Sequence, residues 1–216
     1  MPRYAQFCAL ARASEILGER WTLLIIRELM LGPQRFSDLK AGLDGVSTSV
    51  LTERLNHLGE LGLLRRRYLD PPAASTVYEL TEIGLGLKPA MFALIRWGGN
   101  FLFPPRKDDR FDPRWMALAL DACAVPTPVP GGTLAIHIRE RDGSAAVRVE
   151  GGNQGTQITR IVGDEDVSIA TDTPTLLRLI SGNLDPIQAE REMLVRVDGD
   201  HAVYQHISDL FETERN

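Results

Sequence analysis

The chain has 216 residues, 44% hydrophobic and 25% charged, enough apolar side chain for the core of one large domain or two small ones. No apolar run approaches the ~18 residues of a membrane span, and the start MPRYAQFCALARASE lacks a signal peptide's order of basic then apolar residues, so a cytoplasmic protein without membrane insertion is expected. Cys8 and Cys123 fit neither a disulfide framework nor a paired zinc motif. A net charge of -5 argues against a protein wrapped in nucleic acid, but the charge is uneven: residues 1–105 hold 12 basic and 10 acidic residues, and residues 106–216 hold 12 and 19. Any polyanion is therefore expected to meet the N-terminal half.

Up to Trp97 the apolar residues recur at helical spacing. Residues 5–17 and 21–30 read as helices closed by Gly18 and by the Gly32-Pro33 breaker, and a third runs over 36–43. After the turn Asp44-Gly45, Ser47 caps a fourth helix whose Leu51, Leu55 and Leu58 face one way, ending at Gly62. LLRRRYL and TVYEL flank a turn over 70–75 and predict a two-stranded wing. Thr81 then caps one long helix carrying Leu85, Leu87, Met91, Leu94, Ile95 and Trp97, more apolar surface than a small domain covers alone, which predicts a homodimer. The segment FLFPPRKDDRFDP follows, rich in proline and charge, and places a domain boundary near residue 105.

With the three leucines inward, a 100° wheel turns Ser49, Glu53, Asn56 and His57 outward, with Val50, Thr52 and Arg54 on the flanks. Ser47, Thr48 and Ser49 near the helix start suit backbone and phosphate approach, Asn56 suits adenine and Glu53 accepts from cytosine. Arg35, Arg54, Arg65 and Arg67 are the expected phosphate cations. Arg65 to Arg67 alone would read equally as a solvated strand edge; the helix pair before them favours duplex DNA.

After Pro113, RWMALALDA reads as a helix. TLAIHIRE and SAAVRVE form a hairpin through Arg141-Asp142-Gly143, then come TQITRIV and DVSIATD. Thr173-Pro174 opens a helix over 175–181. A Gly-Asn-Leu-Asp-Pro turn, a second helix, a strand, a Gly-Asp pair and a last helix complete an α+β chain. Alternate strand residues Leu134, Ile136, Ile138, Val147, Val149, Val167 and Ile169 need an apolar partner. The four histidines form no HExxH motif, GGNQG lacks the Lys-Ser/Thr of a P-loop, and no nucleophile stands near a base, so neither an enzyme nor a metal or cofactor is expected.

CALARASEILGERWTLLIIRELMLGPQRFSDLK, VSTSVLTERLNHLGELGLLRRR, VYELTEIG and a terminal RWG resemble the HxlR-type regulators over residues 7–98. The resemblance implies a MarR-like winged helix-turn-helix, dimeric through its first and last helices, that controls nearby genes, most simply as a repressor, from a palindromic operator. It also implies a response to electrophiles or oxidants, and makes Cys8 a redox candidate beside its reading as a small buried hydrophobe. The wing tip, Asp70-Pro71-Pro72-Ala73-Ala74-Ser75, departs from the pattern by lacking the basic residue many relatives place there. Residues 114–212 resemble the SCP2-type sterol-carrier fold, an α/β sandwich over an apolar pocket for lipid-like molecules. The expected organisation is a DNA-binding and dimerisation domain over 1–105 and a ligand-binding or dimer-bracing domain over 106–216. The alternative is a hydrophobic-ligand carrier whose N-terminal domain serves mainly to dimerise.

Overall fold

The computed structural model describes residues 4–102, 106–107, 109–110, 112–140, 143–159 and 163–212. The chain divides into two compact units, residues 1–91 and 92–216. The boundary expected at residue 105 lies outside the described residues, as do Arg141 and Asp142 of the expected hairpin turn and Arg160, Ile161 and Val162 of the expected third strand. Among the described residues no helix is long and apolar enough to cross a membrane.

The first unit runs α1 (Ala9–Leu17), α2 (Thr22–Met30), α3 (Phe36–Gly42), α4 (Thr48–Glu60), β1 (Leu64–Leu69), β2 (Ser75–Leu80) and α5 (Glu82–Leu85), and α6 (Lys88–Gly99) begins in it. Helix α1 starts at Ala9 rather than at the expected Ala5. Cys8 is extended at its N-cap, and the Tyr4 amide donates to the Glu15 carboxylate at 2.7 Å, so the preceding segment folds back along the helix instead of continuing it. Ile25, Ile26 and Leu29 of α2 meet Leu39 of α3, Leu51, Leu55 and Leu58 of α4, and Leu64, Tyr78 and Leu80 of the wing in one core. The wing pairs Leu64 with Leu80 through Leu69 with Ser75, and Gln34 adds a bridge to Tyr78.

The single long helix expected after Thr81 is two helices. Thr81 Oγ1 accepts from the Gly84 amide at 3.3 Å and caps only α5; the chain turns at Gly86 and α6 starts at Lys88. Pro89 explains the break: it has no N–H to donate to the Leu85 carbonyl, and its ring collides with that carbonyl in a continuous helix, whereas in a first turn it costs nothing.

In the second unit, α7 (Arg114–Cys123) precedes a five-stranded sheet of β3 (Gly132–Glu140), β4 (Gly143–Gly151), β5 (Gln157–Thr159), β6 (Val167–Thr171) and β7 (Arg196–Gly199), in the order β5-β4-β3-β6-β7. Among the described strands only β3 and β6 pair in parallel. Between β6 and β7 lie α8 (Thr173–Ile180) and α9 (Pro186–Arg191), and α10 (His201–Gln205) follows β7. The cap of α8 is Asp172, not Thr173: its carboxylate accepts from the Thr175 amide at 2.9 Å, a stronger acceptor than a threonine hydroxyl, and Pro174 falls in the first turn.

Register sets Ile136 opposite both Val147 and Ile169, and Leu134 opposite Val149 and Val167, so the alternating residues form one apolar face. Met116 and Leu120 of α7, Leu176 and Leu179 of α8 and Tyr204 of α10 join them in one core. None of the seven strand residues exposes more than 1% of its surface. The partner of this face is the domain's own side chains.

Candidate nucleic-acid interface

Ser47 fixes where the reading helix begins: its Oγ accepts from the Val50 amide at 3.2 Å. From there the buried leucines set the rotation of α4, leaving Ser47, Thr48, Ser49, Thr52, Glu53 and Asn56 exposed and His57 half-buried. Ser47 and Ser49 hydroxyls lie 3.1 Å apart at the helix start, and Thr52 Oγ1 donates to the Thr48 carbonyl at 2.8 Å. That bond occupies the only donor of the Thr52 side chain, so its remaining contact groups are a methyl and an acceptor.

The four arginines expected on phosphate are placed in three different ways. Arg35, just before α3, donates from Nε to Ser75 Oγ at 3.0 Å and from Nη2 to the Ala73 carbonyl at 3.3 Å, so its exposed guanidinium rests on the wing tip. Arg65 and Arg67, two apart on β1 and hence on one side of it, both reach Glu79 across the hairpin, at 2.7 and 2.8 Å. Hydrogen bonds first from Arg65 and then from Arg67 hold the Glu79 carboxyl below its ordinary range. One carboxylate cannot neutralise two guanidiniums, and a net positive charge remains on that strand.

Arg54 is engaged within the protein. Its side chain is only 12% exposed, pairs with Glu19 at 2.7 Å and Glu53 at 3.0 Å, and buries an Nε with no hydrogen-bond partner. It stands three residues after Leu51 and four before Leu58, so from the flank its stem lies along the inward stripe.

Arg66 is the residue that sequence reasoning missed. Leu64 faces the core, so alternation sends Arg66 to the same side, opposite Tyr78. There its guanidinium lies 5.2 Å from the Tyr78 ring centroid, and Nη2 donates to Asn56 Oδ1 at 3.1 Å. The signal was present in the hairpin register: Arg66 belongs with the reading helix, Arg65 and Arg67 with Glu79. Because Arg66 occupies one lone pair of the Asn56 amide oxygen, the amide N–H groups are the side chain's free donors toward a base.

Cys8 is exposed rather than buried, and Arg12, four positions further on, pairs with Glu15 at 3.0 Å. Cys123 is half-buried, and desolvation pushes its thiol pKa up, with Arg96 opposing. Among the described residues no group of three or more His, Cys, Asp or Glu is placed to hold a metal ion.

The outward face of α4, the wing and the capped helix start all fall within residues 16–105, which match the model of the HxlR-like helix-turn-helix. Residues 126–212 match that of the SCP-2 sterol transfer family. An HTH-type transcriptional regulator of Mycobacterium tuberculosis is 41% identical over 97 residues, 45% of this chain and 61% of that protein, so the match spans less than two thirds of the relative's length. The HTH-type transcriptional regulator YodB of Bacillus subtilis is 34% identical over 43% of this chain and 82% of its own. The solved reduced form of YodB aligns with 47% of this chain and 100% of that one at 30% identity and a TM-score of 0.40. YvaP, another Bacillus subtilis HTH-type regulator, aligns over 43% of this chain. Since its 34% identity to YvaP extends over 86% of that protein's length, the chain belongs to the HxlR-like helix-turn-helix family.

Proposed function

We propose that the protein is a homodimeric transcription regulator that binds a palindromic operator in duplex DNA by laying α4 in the major groove. Residues 1–105 form its DNA-binding and dimerisation domain, and residues 106–216 its effector domain. The observation that carries this reading is the exposed polar face of α4, from Ser47 to Asn56, on a helix anchored by three buried leucines and joined to the exposed Arg66 by a hydrogen bond. Membership of a family whose relatives are HTH-type transcriptional regulators supports it, and supports a non-enzymatic role in the cytoplasm, where the DNA is. Exposed Phe7 and Leu10 at the start of α1, and Leu94 and Trp97 on α6, support a second copy as the cover for both apolar faces.

A footprint over the gene's upstream region tests the reading, with protection expected at two half-sites about 34 Å apart. Asn56→Ala is expected to relax discrimination at one base position by about 1 to 3 kcal/mol. Arg66→Ala should act at that same position, and the double variant should lose less than the two single losses together, since the side chains are bonded to each other. Absence of any protected sequence, or strict additivity, would count against the reading head as drawn.

Thiol modification is the input we assign to Cys8. Iodoacetamide is expected to label exposed Cys8 well before half-buried Cys123, whose thiolate is disfavoured by burial, as read by peptide mass spectrometry. Diamide should release operator from the wild type and spare Cys8→Ser; equal release from both would remove Cys8 from the role. The match of residues 126–212 to the SCP-2 sterol transfer family supports a hydrophobic small molecule as a second input. Solvent extraction of the purified protein, mass spectrometry of the extract, and titration of operator binding with what is found test that input. An empty extract together with operator affinity unaltered by removal of residues 114–216 would leave the domain as a dimer brace.

A further inference from the structure

We propose that Glu19 is a positioning residue that sets the tilt of α4 through Arg54, so that the α1–α2 junction passes the placement of α1 to the DNA-reading face. The inference rests on the proposed DNA-binding function. Gly18 ends α1, and two of the three residues that follow it touch the reading head, each at its own point. Glu19 Oε2 accepts from Arg54 Nη2 at 2.7 Å, at the middle of α4. Trp21 caps α2 in the left-handed region, at φ 80, and its ring tip lies 3.8 Å from where a Cβ on Gly45 would stand, in the turn that leads into α4. The Arg20 guanidinium covers the same ring at 5.1 Å.

A bulky aromatic held at positive φ is strained and persists only where its surroundings over-determine it. Here those surroundings are the first unit's core, against which Trp21 packs, and the turn before α4. The junction thus grips the turn before the reading helix with Trp21, and the helix itself with Glu19. The pairing also accounts for the low exposure of Arg54. A cation committed to phosphate would not be sunk at 12% exposure with a carboxylate on Nη2, a second on Nη1 and an unpartnered Nε. The ion pair is only partly screened by solvent, and losing one partner strands the other.

The test measures operator affinity, affinity for unrelated duplex, the salt slope of each and the melting temperature for wild type, Glu19→Gln, Arg54→Glu and the exchanged pair Glu19→Arg with Arg54→Glu. If α4 is positioned by the pair, Glu19→Gln loses operator affinity on the order of tenfold. Its salt slope and its binding to unrelated duplex should stay at the wild-type values, and the exchanged pair should regain most of the loss. If Arg54 were instead a phosphate contact held back by Glu19, Glu19→Gln would bind both duplexes more tightly, its slope would steepen by about one counterion, and the exchange would rescue nothing. Either that result or an unchanged operator affinity overturns the inference. Should Glu19→Gln prove too unstable to assay, Glu19→Asp shortens the bridge while keeping the charge, and is expected to lose operator preference with the same unchanged slope; wild-type operator affinity from Glu19→Asp would equally overturn the inference. A wild type that binds no duplex at all would overturn the proposed function instead, and is recognised before any variant is made.

Discussion

Raising salt from about 50 to about 200 mM is expected to weaken operator binding by roughly a thousandfold, the loss associated with about six neutralised phosphates. Three positive charges per protomer lead to that figure: Arg35 on the wing tip, Arg66 beside Asn56, and the excess of Arg65 and Arg67 over Glu79. Arg54 is left out because Glu19 and Glu53 already neutralise it. The slope of log affinity against log salt should therefore lie near -5, set by about 0.9 per phosphate. Removing Arg66 should reduce it by about two units in a dimer, whereas removing Arg54 should leave it alone. A slope near zero in the wild type would mean that the interface is not electrostatic and that the arginines of the wing serve the fold only.

Leu55→Ala is expected to cost the first unit about 2 to 5 kcal/mol, the range for truncating a fully buried leucine where the surroundings collapse only in part. Leu55 is 1% exposed at the centre of α4, in the core shared with Ile25, Ile26 and Leu39. Calorimetry should show the melting of the first unit lowered by roughly 10 °C or more. Ile136→Ala, at a fully buried site in the other unit, is the reciprocal experiment and should lower that unit's melting instead. No shift on truncating Leu55 would mean that α4 is not anchored by its leucines, and the outward polar face would then have no fixed rotation.

The reading helix was legible because its determinants are local. A serine cap and three leucines within one stretch decide where α4 starts and which way it turns, and the structure follows both. The wing was legible for the same reason, down to the strand pair that begins with Leu64 opposite Leu80. Periodicity failed where a local geometric fact outweighed it. Apolar spacing runs unbroken from Leu85 to Trp97, yet Pro89 requires a new helix start, and Ala5 has the right neighbours for a helix but Tyr4 is drawn back to Glu15. The pairing of Arg54 was hidden for a different reason. Its partner Glu19 is 35 positions away, and no wheel drawn on α4 contains it. Arg66 was the converse case, a residue whose significance lies in the hairpin register rather than in its own neighbours. In the second unit the alternating strand residues were read correctly as one face, but alternation says only that a face needs covering; that α7, α8 and α10 cover it is a fact of tertiary packing.

The guanidinium resting on the wing tip alters what a sequence comparison of wings can mean. Residues 70–74 carry no basic side chain, and by its own letters the tip is acidic through Asp70 alone. Arg35 lends it a cation from almost forty positions upstream, through Ser75 Oγ and the Ala73 carbonyl. The charge therefore belongs to the assembled domain and not to the hairpin, and it does not travel with the hairpin. Grafted into another regulator, this wing would arrive without its charge. A relative that kept the tip but replaced Arg35 would lose the cation with no change in the wing at all.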